Sequence, residues 1–179
     1  NNLAATPTIV WWPGRSSAEE LISLGAQPTK YSEYGMKIDG APSTLEAVRH
    51  RRAGVQDEGS QLVASIFAQA ADDKSSWLDL CAGPGGKAAL LASIADQGDH
   101  RLVANEISQI RADLVKQVVG SHEVWVGDAR DVATRGEGFD AILADVPCTG
   151  MGALRRRPEV RWRRSLSDLR ELGVLQREI

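Results

Sequence analysis

The sequence predicts an α/β protein: a doubly wound parallel sheet with strands in the order 3-2-1-4, carried behind a small, partial α+β piece. Three observations carry this. A short apolar run, a glycine loop and a helical pattern follow one another across residues 76–95. Strand-like and helix-like segments then alternate to about residue 144, as a parallel sheet with crossover helices requires. Each predicted strand also ends on a residue suited to holding a ligand, where open α/β sheets bind theirs. Right-handed crossovers from a central first strand give the order 3-2-1-4.

In chain order, residues 6–12 (TPTIVWW) are β-prone, and Ser16-Ser17 followed by AEELISLG predicts a capped helix closed by Gly25. Of Trp11 and Trp12, one buried and one edge side chain is expected, with base stacking the alternative. Residues 34–39 (YGMKID) read as another short strand. This β-α-β piece is too small for a full core, so residues 1–53 are taken as a partial appended domain and 54–179 as the main one. From Gly54, GVQDEGSQLVASIFAQA places Leu62, Val63, Ile66 and Phe67 on one helical face, with Asp57 as cap. Strands are expected near 76–81, 101–106, 122–126 and 139–144. SQIRADLVKQVV forms a helix between the second and third, with Ser108 available as its cap.

The loop Cys81-Ala82-Gly83-Pro84-Gly85-Gly86-Lys87 follows Trp77, Leu78 and Leu80, and leads into a helix with Leu90, Leu91, Ile94 and Ala95 on one stripe. Bare backbone there allows close approach, and a helix start offers unpaired N–H groups and a positive dipole end. A tight turn for packing alone is the plain alternative. Two phosphate-binding patterns fit poorly: Lys87 is followed by Ala88 instead of the Ser or Thr of a Walker loop, and the dinucleotide fingerprint lacks its last glycine. An S-adenosylmethionine site needs no phosphate cradle and remains. Glu106, at the second strand's end, can accept two hydrogen bonds from a ribose diol. Asp128, after the third, can accept from an exocyclic adenine amine. Asp145 and then Pro147-Cys148 close the fourth.

With 179 residues and 42% hydrophobic content the chain can bury one good core. It has no apolar run of about 18 residues and no secretory pattern, so no membrane partner is expected. Two cysteines, Cys81 and Cys148, make no disulfide framework, and a reducing cytoplasm is the default. No metal is called for. The net charge of −3 hides local basic clusters: Arg49, Arg51 and Arg52 around His50, then Arg155, Arg156, Arg157, Arg161, Arg163 and Arg164. Such stripes bind phosphates, or else form a solvated face. The chain begins without Met and stops inside a helical pattern, which reads as part of a longer protein.

These residues resemble the Sun (RsmB-type) RNA cytosine-5 methyltransferases. The likeness runs through VQDEGSQLVA at 55–64, LDLCAGPGGK at 78–87, Asp128-Ala129-Arg130, FDAILADVPCTGMGALRRRPEVRWRR at 139–164 and the closing LQREI. More weakly, residues 1–53 resemble that family's appended RNA-recognition piece. The resemblance implies a Rossmann-like methyltransferase fold with its C-terminal strands missing, S-adenosyl-L-methionine as cofactor, ribosomal RNA as substrate and a monomeric full-length protein. It places the cofactor on Cys81, Ala82, Gly83, Pro84, Gly85, Gly86 and Lys87, with Glu106 at the ribose, Asp128 at the adenine and Asp145 beside the reacting groups. Glu106 stands where many members have Asp.

In that family Cys148 matches the Pro-Cys cysteine, which aids product release, while the nucleophile lies in a later Thr-Cys motif. No Thr-Cys pair occurs in this sequence. Cysteine is needed because cytosine C5 is a poor nucleophile until a thiolate adds at C6. A free thiol is only a few per cent thiolate at neutral pH, so its site must favour the anion. Two rivals follow: a DNA cytosine-5 methyltransferase in which Cys148 attacks, and a cofactor- or RNA-binding fragment without turnover. The arginine run and the appended piece speak for RNA.

Overall fold

The computed structural model describes residues 6–136, 138–154 and 157–179. Residues Thr6–Ala144 form one compact unit and Asp145–Ile179 lie in a second.

The first unit opens with a small antiparallel sheet in the order β2-β3-β1-β4. Its elements are β1 (Thr8–Trp11), α1 (Ala18–Ser23), β2 (Gln27–Pro28), β3 (Gly35–Lys37), a 3-10 turn at Pro42–Thr44, α2 (Glu46–Arg49) and β4 (Ala53–Val55). The sheet therefore runs two residues past position 53. Ser17 caps α1 by accepting from the Glu20 N–H at 3.2 Å, and Gly25 follows the helix at φ +86°. Arg52 grips the Glu20 carboxylate with two nitrogens, at 2.7 and 2.6 Å, tying α1 to the start of β4.

Successive residues of β1 point to opposite faces of the sheet. Ile9 packs with Leu21, Met36, Ile38 and Leu45 in a cluster of the small sheet's own. Val10 and Trp12 instead join the main core, beside α3 and α4. That accounts for the unbroken apolar run IVWW: the strand is covered on both sides. Trp12 is buried, while Trp11 lies at the edge against Tyr34, with ring centroids 5.1 Å apart.

After β4 come α3 (Glu58–Ala70), β5 (Ser76–Asp79), α4 (Gly86–Gly98), β6 (Arg101–Glu106), α5 (Gln109–Lys116), β7 (Glu123–Val126), a 3-10 segment at Ala129–Arg135 and β8 (Ala141–Leu143). The strands pair in parallel in the order β7-β6-β5-β8, the predicted 3-2-1-4. α4 is buried on nearly every side, with Ala88 through Ser93 and Ala95 all inaccessible. Its apolar stripe lies on the sheet, and its remaining faces meet α3, Val10 and Trp12.

α3 departs from its predicted face. Asp57 does cap it, accepting from the Ser60 N–H at 3.3 Å. But Gln61, Ala64, Ser65 and Ala68 are the buried residues, whereas Val63 and Ile66 are 42% and 62% exposed. Small side chains let α3 lie close on α4, and only Phe67 of the predicted stripe reaches inward, edge-on to Trp77.

The second unit holds a 3-10 turn at Met151–Ala153, α6 (Val160–Arg163) and α7 (Leu166–Glu178). A capping box between Ser165 and Asp168 starts α7, and Gln176 Nε2 donates to the Pro147 carbonyl at 2.7 Å. Among the described residues, no helix is long and apolar enough to cross a membrane.

Candidate functional site

The glycine loop is held from both neighbouring strands. Past the last paired residue of β5, the Leu80 N–H donates to Leu143 O at 2.9 Å and the Ala82 N–H to Asn105 O at 2.8 Å. Asn105 is a residue that sequence reasoning missed. Its buried amide nitrogen donates to Leu80 O at 3.1 Å and Gly127 O at 3.2 Å, tying the ends of three strands together. A polar residue placed directly between the apolar LVA and Glu106 was the available signal.

Each glycine has its own reason. A Cβ on Gly83 would stand 2.1 Å from Glu106 Oε2, so this glycine makes room for the carboxylate. Gly85, the N-cap of α4, has φ +107°, and a Cβ there would meet Val118 Cγ2 at 3.0 Å and the Val115 backbone at 3.3 Å. At Gly86 the nearest side chain is that of Gln56, whose Nε2 would lie 3.7 Å from a Cβ there, an ordinary packing contact.

Glu106 is buried to 4% exposure at the carboxyl end of β6 and already has several donors. Oε2 accepts from the Gly83 N–H at 3.0 Å, and Oε1 from the Ser108 N–H at 2.8 Å and Arg111 Nε at 2.9 Å. The second Arg111 nitrogen lies 2.6 Å from the same oxygen. Ser108 was expected to cap α5 through its hydroxyl. Its hydroxyl makes no such bond, and its backbone N–H goes to the Glu106 carboxylate.

Asp128, after β7, caps the 3-10 segment. Its Oδ1 accepts from the Arg130 N–H and Nε, both at 3.0 Å, and its Oδ2 from an Arg130 terminal nitrogen at 2.6 Å. These bonds, the side-chain ones foremost, hold its carboxyl down to about 2. The Asp128-Ala129-Arg130 sequence is thus an acid clamped by its own neighbour. The carbonyl of Glu106 accepts from the Gly127 N–H at 3.2 Å, so both acids project from adjacent strand ends.

The remaining candidates lie in the second unit, which begins at Asp145. Cys148 is an exposed free thiol on a cavity of about 430 Å³ that Arg157, Arg163 and Arg164 also line. Arg157 pairs with Glu159 at 3.3 Å, and Arg164 donates to Thr149 O at 3.1 Å. Arg161 and Arg163 are exposed on α6. Arg155 and Arg156 lie outside the described residues.

A parallel doubly wound sheet, a glycine loop after its first strand and acids at the next two strand ends define a Rossmann-like methyltransferase domain. Residues 66–179 match the family described as 16S rRNA methyltransferase RsmB/F, and the chain belongs to that family. A Mycobacterium tuberculosis (strain H37Rv) protein with a provisional methyltransferase name is 47% identical over 175 residues, covering 93% of this chain and 38% of that protein. Ribosomal RNA small subunit methyltransferase B of Shewanella oneidensis is 36% identical over 143 residues, covering 76% of this chain and 32% of that enzyme. The crystal structure of PH0851 matches with a TM-score of 0.87 at 26% identity, over 99% of this chain and 43% of that one. The chain thus spans less than two fifths of the length of these curated relatives.

Proposed function

We propose that the chain is the cofactor-binding part of a cytosine-5 methyltransferase that acts on ribosomal RNA in the cytoplasm, as a monomer. The observation that carries the cofactor reading is the Glu106 carboxylate, buried at a strand end and hydrogen-bonded to the glycine loop. S-adenosylmethionine fits the residues present. The glycine loop offers bare backbone to its methionine part, Glu106 Oε2 has acceptor capacity for a ribose hydroxyl, and the Asp128 carboxylate stays ionised to accept from the adenine amine. Cys81, Ala82, Pro84 and Lys87 complete the loop around it. When bound, the cofactor supplies an electrophilic methyl group.

The chain's own residues then hold the RNA and the base. Arg157, Arg161, Arg163 and Arg164, with Arg155 and Arg156 of the same run, present positive charge for phosphates. Residues 1–53 add an RNA-recognition piece, and 54–179 carry the methyltransferase chemistry. Asp145 would hydrogen-bond the cytosine edge. A thiolate adding at C6 would make C5 nucleophilic toward the methyl the cofactor would supply, and a base removing the C5 proton afterwards would let the thiolate leave. We assign that attack to a cysteine other than Cys148, which serves in product release. Family membership supports this, with relatives named for ribosomal RNA.

Two measurements test the reading. Calorimetry should show S-adenosylmethionine binding to the chain. An RNA carrying 5-fluorocytosine, which traps the C6 adduct, should give none with these 179 residues. An adduct would make Cys148, an exposed free thiol, the nucleophile, as in the DNA-type alternative.

A further inference from the structure

Gln56 immediately precedes Asp57, the cap of α3, and its backbone is fixed on both sides. Its N–H donates to Thr8 O at 3.1 Å, and its carbonyl accepts from Gln61 Nε2 at 2.9 Å. The residue is only 8% exposed. Yet neither its amide oxygen nor its amide nitrogen has a hydrogen-bond partner among the described residues. Native folds retain few such groups, because a buried polar group without a partner forfeits its hydration, and a bound ligand is one ordinary reason for keeping one.

The position of the amide is informative. The atoms nearest to where a Gly86 Cβ would stand are Gln56 Nε2, Cδ and Cγ, at 3.7, 3.8 and 4.0 Å. The amide therefore packs over the first residue of α4, a 13-residue helix whose N-cap, Gly85, has no side chain to satisfy the first turn. A helix start attracts an anion. An amide beside it adds two N–H donors and a carbonyl acceptor. A ligand with a carboxylate and an ammonium on one carbon matches that set: the carboxylate takes the helix N–H groups and the amide N–H, and the ammonium donates to the amide oxygen. A phosphate would leave the acceptor unused.

We propose that Gln56 binds the amino-acid end of S-adenosylmethionine at the start of α4. This rests on the cofactor reading above and adds to it a residue outside the glycine loop. Gln56 then selects ligands that carry the amino acid over those with the adenosine alone.

The test uses two ligands that share adenosine and sulfur. S-adenosylhomocysteine has the amino-acid end, and 5′-methylthioadenosine lacks it. In calorimetric titrations of the chain, Gln56→Leu removes both amide contacts and should weaken S-adenosylhomocysteine by at least the roughly ten- to hundredfold that one hydrogen bond to a charged group is worth. Affinity for 5′-methylthioadenosine should not change. The leucine variant should melt no lower than the parent, since it removes an unpaired amide without opening a large cavity. If it does not fold, Gln56→Asn, with the amide drawn back by one methylene, should show the same selective loss. A variant that weakens both ligands equally, or neither, overturns the assignment to Gln56 alone. A parent that binds neither ligand overturns the cofactor reading and this inference with it.

Discussion

Replacing Glu106 with alanine should loosen the glycine loop and the cofactor together. The side chain accepts from the Gly83 and Ser108 backbone N–H groups and from Arg111. Arg111 is half exposed and can turn to water, so its share is small, about 0–1 kcal/mol. The two backbone donors lose a charged acceptor at a residue that is 4% exposed, at about 1–3 kcal/mol for each left unpaired. Water entering the space left by the carboxylate recovers part of this. A net loss of about 2–4 kcal/mol is expected, read from the shift in the urea midpoint at constant slope. S-adenosylmethionine affinity should fall about ten- to a hundredfold in calorimetry. Glu106→Gln keeps the shape but sets an NH2 against one of the donors, so it should bind poorly while remaining better folded than the alanine variant. An alanine variant as stable as the parent would show that the carboxylate does not hold the loop. Undiminished affinity in both variants would remove Glu106 from the cofactor site.

Gly85→Ala should destabilise the chain by about 1–3 kcal/mol, through a left-handed backbone and crowding against Val115 and Val118. An unmoved urea midpoint would contradict that geometry. Asp128 is held below its ordinary 3.8, at about 2, so its clamp stabilises the fold above the ordinary value and is lost as pH falls toward about 2. Carboxyl NMR titration should show the Asp128 midpoint rising back toward 3.8 in Arg130→Ala; a parent midpoint already near 3.8 would refute the clamp. Arg161→Ala and Arg163→Ala should each weaken RNA binding and reduce the slope of log affinity against log salt by about 0.7 for every phosphate no longer neutralised. An unchanged slope would leave these arginines as a solvated face.

Local chemistry wrote much of this fold into the sequence. The Ser17 and Asp57 caps, the Gly25 stop and the parallel strands with their order all depend on residues near one another or on the alternation of strands and helices. The same holds for Glu106 and Asp128 standing at strand ends, since a parallel sheet puts the carboxyl ends of its strands on one side. Periodicity reports which residues are apolar, but not how closely a neighbour approaches. That is why α3 buries Ala64 and Ala68 in one cluster with α4, turns Gln61 to the backbone of Ile9 and Gln56, and leaves Val63 and Ile66 outside. The double burial of β1 likewise needs elements on both its faces. Tertiary structure also decided the partners: Glu106 reached the Gly83 N–H of the glycine loop, Asn105 joined three strand ends, and the Gln56 amide came to lie over Gly86. Each of these pairs side-chain atoms with backbone from another element, and no spacing within one segment encodes such a meeting.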